Sequence, residues 1–405
     1  MGQDIVSTSW FDRDNFSTCS LSGDDGSIVA IGAPFNRDKD VDVGQVVVYK
    51  YDTGTDTWSQ LGQSLNGTSY ADNFGFDVSL SNNGNRLAVG AKNDDPSGLS
   101  NAGKVFVYDY NSSTNTWSLF GQSIYGKASG DGFGVSVSLS GDGNVVASGA
   151  LGSDPGGMSA AGSVRVFKYN YSTQNWSQLG SDINGEFMNS LSGKAISLSN
   201  DGHILAYGDE GADVSGSRSD EGYTRVFEYD DSTDSWTQLG DDIVGENIRD
   251  YSGNSVSLSD DGRIVAIGAL GVDCFSGHVR VYKYDDNTSA WTQLGDDIVG
   301  ESTMDTFGQS VSLSGNGHIV AIGAPSSEIE SGAYYTYGGQ LRVFEYDSNT
   351  DTWSQIGSEF YGEQDEQFGR HVSLSKDGHT VAAGGSLYAR YVCVYNYQSA
   401  ELETH

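Results

Sequence analysis

Few residues in this chain have both the type and the spacing to do chemistry. Asp38, Asp40 and Asp42, in the run Asp-Lys-Asp-Val-Asp-Val-Gly, stand at alternate positions. Three carboxylates so spaced could converge on one hard cation, calcium first, if the loop curls. The glycine falls six positions after Asp38 rather than five, outside the EF-hand register. Among 55 acidic residues such a run also arises by chance, so a solvated acidic loop is the alternative. Tyr334, Tyr335 and Tyr337, in Ser-Gly-Ala-Tyr-Tyr-Thr-Tyr-Gly-Gly, offer flat apolar faces edged by hydroxyls. Such faces suit a sugar ring or a protein hot spot, and Trp10 and Phe11 could flank the same rim. The structural alternative is that these aromatics seal a loop against its neighbour. His203, His318 and His379 each follow a turn glycine and are expected at the surface, not in a metal ring. No Gly-x-Ser-x-Gly elbow, HExxH or P-loop occurs.

The elements that would position these residues come from internal repetition. Leu-Ser, a glycine turn and an apolar run recur seven times, from Leu21, Leu80, Leu139, Leu198, Leu258, Leu313 and Leu374. A second string, Gly-x-Val-x-Val-Tyr/Phe-x-Tyr, follows each copy and ends at Tyr51, Tyr110, Tyr169, Tyr229, Tyr284, Tyr346 and Tyr397. A third, Trp-x-Gln-Leu-Gly or a close variant, begins at Trp58, Trp117, Trp176, Trp236, Trp291 and Trp353. Ser-Val-Ser-Leu-Ser alternates with period two, as does Val-Arg-Val-Tyr-Lys-Tyr, so both predict strands. Ile-Val-Ala-Ile-Gly-Ala predicts a strand buried on both faces, and pairs such as Asp142-Gly143 predict tight hairpins. Each repeat is a four-stranded antiparallel meander, A to D. Seven such units predict an all-β, seven-bladed β-propeller spanning residues 1–405 as one domain.

Ring closure has its own signature. In six repeats the strand D tryptophan stands seven positions after the strand C tyrosine, whereas from Tyr397 that count reaches Thr404. Gly2-Gln-Asp-Ile-Val repeats the pattern of Gly295-Asp-Asp-Ile-Val, which elsewhere follows strand D. The expectation is a fragment of a longer protein, with the last strand D supplied upstream or improvised by the final residues.

Composition narrows the partners. Asp and Glu number 55 against 21 Lys and Arg, a formal charge of −34. Such a field repels nucleic acid and anionic membrane surfaces, and no apolar run is long enough to span a bilayer. Three cysteines, Cys19, Cys274 and Cys393, form no disulfide framework or metal spacing. Sequons at Asn15, Asn66, Asn111, Asn170, Asn175 and Asn287 fit an extracellular setting.

Phe-Gly opens strand A at 74–75, 133–134, 307–308 and 368–369, and Gly-Ala-Pro closes strand B at 32–34 and 323–325. These strings resemble the FG-GAP repeat of integrin α-subunit propellers. The resemblance implies a secreted or cell-surface adhesion or ligand-binding module. Several integrin-type blades carry a calcium loop between strands A and B. Here that connection is too short to supply six to eight oxygens, so that metal function is not expected at those positions.

In a propeller the A–B and C–D turns share one face, and the B–C and D–A connections share the other. The first set is monotonous here and the second varies in length and composition, so binding is expected on the second. Strand A reads mostly Ser and Val, with Lys194 and His371 as exceptions, and the chain is therefore expected not to be an enzyme. The expectation is a monomeric adhesion-type module within a larger chain, binding a protein or glycan ligand. A carbohydrate-binding propeller is the alternative, with a polysaccharide lyase or hydrolase third.

Overall fold

A computed structural model describes residues 4–6, 18–36, 43–214, 220–271, 275–331, 334–363, 366–385 and 391–396. Seven antiparallel sheets surround one axis, as a seven-bladed β-propeller. The innermost strands A are Thr18–Leu21, Phe74–Leu80, Val137–Leu139, Ala195–Leu198, Ser252–Leu258, Ser310–Leu313 and His371–Leu374, in blades one to seven. Strands B, such as Ile264–Ala269, are buried on both faces because a blade packs on each side. Strands C run from Gln45–Asp52 to Tyr391–Asn396, and six strands D, such as Thr57–Gln60, form the outer edges. A feature the repeat did not suggest is a two-residue strand after each described strand D, such as Ile298–Val299. It pairs with the first half of strand C, Ile298 opposite Val279.

The two signature glycines meet each other across the six boundaries from blades one and two to blades six and seven. The glycine of Phe-Gly turns the backbone left-handed, with φ +88° at Gly308. Its carbonyl oxygen then lies where a Cβ on the preceding blade's Gly-Ala glycine would sit. A Cβ on Gly268 would come within 2.1 Å of the Gly308 oxygen, and one on Gly323 within 1.8 Å of the Gly369 oxygen. The phenylalanines Phe74, Phe133, Phe307 and Phe368 are wholly buried beside this contact.

Trp-x-Gln-Leu-Gly is a latch between blades. Trp291 Nε1 donates to the Leu239 carbonyl at 2.7 Å, and the same bond joins Trp117 to Leu61, Trp176 to Phe120, Trp236 to Leu179 and Trp353 to Leu294. Each indole also packs on its own strand C tyrosine, at 5.2 Å between ring centroids for Tyr284 and Trp291.

The alternating serines of strand A close the circle. Each hydroxyl oxygen accepts the leucine N–H of the next strand A at 2.9–3.0 Å. The series ends with Leu21 N donating to Ser373 Oγ, which joins blade one to blade seven. Blade seven is completed by the chain's beginning: Ile5 and Val6 pair with Val392 and Tyr391, the place Ile298 and Val299 hold on blade five. The similarity of the opening residues to Gly295-Asp-Asp-Ile-Val is thus a structural equivalence at Ile5 and Val6. Tyr397 and the residues after it lie outside the described residues.

Candidate functional site

The axis is blocked at one end. The seven A–B turns are linked by a second ring of backbone bonds of 2.7–3.2 Å, in which Asn82 N donates to the Gly141 oxygen and Lys376 N to the Gly23 oxygen. Inside it, Asn200 of blade four accepts hydrogen bonds from Asn82 of blade two and Lys376 of blade seven. Lys376 also pairs with Asp260. These side chains bridge the hairpin end of the channel.

The other end is open. A cavity of about 660 Å³ runs from the serine ring to the B–C and D–A loops, within the roughly 300–1,000 Å³ of small-molecule sites. The residue after the glycine that opens strand A, in Phe-Gly or in the Ser-Gly of blades four and five, sets its mouth. Lys194, Asn254, Gln309 and Arg370 fill this position in blades four to seven, while Phe76 and Val135 fill it in blades two and three. The mouth is therefore two-sided, a polar cationic arc facing an apolar one that Pro34, Phe35 and Leu151 extend. Lys92 stands over Phe76, its ammonium 3.7 Å from the ring centroid, and burial holds it below the ordinary lysine range. Lys194 Nζ lies 3.3 Å from Asn254 Oδ1 and is paired with Glu210.

Deeper titratable groups are tuned by burial. Asp77 is pushed up to about 6 by desolvation. Its Oδ2 accepts from Val137 N of the next blade at 2.7 Å, and Oδ1 from its own neighbour Val78 N at 2.9 Å. His371 is pushed down to about 4, first by burial and then by Arg370, so the imidazole is neutral at pH 7. The Cys19 thiol rises to about 12 by burial and by Asp77, which leaves it protonated and a poor nucleophile.

Of the residues singled out in the sequence, Lys194 and His371 line this pocket. Asp77, Lys92 and Arg370 line it too and were not singled out. The signal was the variable position after the Phe-Gly or Ser-Gly glycine, where four successive blades depart from Val and Phe. Tyr334, Tyr335 and Tyr337 lie on a two-stranded ribbon, Glu328–Ser331 paired with Tyr334–Tyr337, in the B–C connection of blade six. Trp10, Phe11, Asp38, Asp40 and Asp42 lie outside the described residues. Among the described residues no group of three His, Cys, Asp or Glu could hold a metal ion, and no helix is long and apolar enough to cross a membrane. His203 sits at its hairpin against Asp231, 3.1 Å away, on the face away from the pocket mouth.

An FG-GAP repeat model matches residues 66–108 and 300–337. The chain is a seven-bladed β-propeller carrying FG-GAP repeats, the architecture that the resemblance to integrin-type propellers implies. No curated protein matches its sequence. Its shape is shared by a Bacteroides uniformis protein described as a 6-phosphogluconolactonase, at 12% identity, covering 86% of each chain, TM-score 0.57. It is similar also to a periplasmic gluconolactonase of Pseudomonas aeruginosa, at 17% identity over 86% of this chain and 88% of that one, TM-score 0.56. A chain of a mitotic checkpoint complex matches at 14% identity over 98% and 91%, TM-score 0.55. Identities this low establish the fold alone. The expectation that the chain is no enzyme does not stand, because propellers of this same fold bear the names of lactonases. The expectation rested on a channel lined by Ser and Val, and the channel also gathers Asp77, Lys92 and Arg370.

Proposed function

We propose that the chain is a ligand-binding propeller that takes its partner on the B–C/D–A face, with the blind axial pocket holding the group that enters deepest. The observation behind this reading is the asymmetry of the channel: Asn82, Asn200, Asp260 and Lys376 bridge one end, and the other opens among variable loops. A secreted or cell-surface setting is the companion proposal, supported by the integrin-type repeat and by exposed sequon asparagines at 111, 170, 175 and 287. A second reading, turnover of a sugar lactone in the same pocket, is favoured by Asp77, pushed up to about 6, and a neutral His371 imidazole lining the same cavity and by the lactonase neighbours. The test compares wild type with Gln309→Trp, which fills the mouth, and with His203→Asn/His318→Asn/His379→Asn on the opposite face. All three are screened against arrayed glycans and sugar acids and assayed for lactone hydrolysis. Binding or turnover should vanish in the first variant and persist in the second. The reverse pattern would refute the assignment.

A further inference from the structure

We infer that the pocket takes a small anionic polyol, a carboxylate borne on a hydroxylated ring-sized body. This rests on the pocket being the binding site. The lining is rich in donors. Lys92, Lys194 and Arg370 gather three of the chain's 21 basic side chains at one opening, although the molecule as a whole carries −34. Arg370 is exposed at the mouth, and Lys92 rests against an aromatic face, so both can meet an anion directly. Asn254, itself buried, is held by donating to the Gln309 backbone oxygen at 3.0 Å.

The serine ring adds a second, independent source of donors. Each hydroxyl spends one lone pair on the neighbouring blade's leucine amide and keeps its proton. Ser20, Ser79, Ser312 and Ser373 line the cavity, where those O–H groups are available to a ligand. Acceptors, the oxygens of a polyol, fit such a floor. An acid group fits the cationic arc above it, where charge-assisted hydrogen bonds are the stronger kind. The C–H face of a sugar ring fits Phe76 and Phe35 opposite. Glu210 at the same mouth pairs with Lys194, which leaves Arg370 and Lys92 as the cations an acid meets first.

The acid could arrive free or as the terminal residue of an anionic polysaccharide, and calorimetry on the full chain separates the two. The probes are glucuronate, glucose, inorganic phosphate and a short oligouronate. Glucuronate should bind at least about tenfold more tightly than glucose or phosphate. Arg370→Gln, at an exposed position, should bring it to within about twofold of glucose. An oligouronate binding about tenfold better than glucuronate marks a chain end as the occupant, and equal binding marks the free acid. Glucose or phosphate binding as well as glucuronate, or an unchanged preference in Arg370→Gln, would overturn the inference. Gln309→Trp separates the two levels: if it binds glucuronate like wild type the pocket assignment itself fails. If it abolishes binding while glucose and glucuronate stay equal, only the acid assignment fails.

Discussion

At the scale of single residues, two groups in the pocket should give pH dependences of opposite sign. Asp77 rises to about 6 because burial disfavours its carboxylate. Between the unfolded value near 4 and 6 the native state thus holds more protons than the unfolded one. Its contribution to stability then falls as pH rises through that window. His371 is the converse: its folded value near 4 lies below the unfolded value near 6.5. Its contribution therefore falls as pH drops from about 6.5 to 4. Melting temperatures recorded from pH 4 to 8 should show His371→Gln gaining on wild type toward acid, and Asp77→Asn losing ground there. Matching pH profiles for both variants and wild type would refute the burial of the two groups. The sequence placed His371 on strand A as an exception to Ser and Val, but it singled out neither Asp77 nor the burial of either group. Asp77 is one of 55 acidic residues, and what sets it apart is the Val137 amide of the next blade, a contact that exists only once blades are in register.

At the scale of elements, the repeat strings are mostly instructions for holding blades together, and the two kinds of string act by different physics. The glycine contact is steric. Neither Gly268 nor Gly323 has a left-handed backbone, so a Cβ there is barred by contact alone, with the next blade's carbonyl and with the Ser255 or Ser310 hydroxyl of its own blade. The tryptophan latch is a hydrogen bond with a ring contact. Gly268→Ala should cost about 1–3 kcal/mol or more by forcing blades apart, whereas Trp291→Phe should lose about 1 kcal/mol for the missing bond. Denaturant midpoints for the two variants check the order, and a harmless Gly268→Ala would contradict the close approach. Strand existence and order were legible because period two, Asp-Gly or Asn-Gly hairpins and the glycine runs are local signals. Less legible was what the serines do. Their alternation marks one face of a strand, but only the ring shows that face reaching for the neighbour's amide. The Tyr334–Tyr337 ribbon was legible as an aromatic insertion and not as paired strands, since its register depends on Glu328–Ser331.

At the scale of the whole molecule, closure draws on both ends of the described chain. Among the described residues, blades two to six carry a tryptophan latch to the preceding blade, and Ile5 and Val6 pair with strand C of blade seven. Ile5 is buried as deeply as its equivalent Ile298, at 4% and 5% exposure. Ile5→Ala should therefore cost about 2–4 kcal/mol, and hydrogen exchange should accelerate first in blades seven and one, whose residues Leu21, Val29, Ala382 and Val392 share a core cluster with Ile5. Uniform acceleration around the ring would show that closure does not depend on this segment. The same ring architecture makes the axial cavity blind, since the A–B turns meet and the D–A connections diverge, and the account turns on that asymmetry. The measurement that tests it most directly is a crystal structure of the full chain soaked with glucuronate. Density between the serine ring and the arc of Lys194, Asn254, Gln309 and Arg370 is the predicted result. Ordered ligand on the A–B hairpins, or only on the Tyr334–Tyr337 ribbon with the pocket holding nothing but solvent, would contradict it.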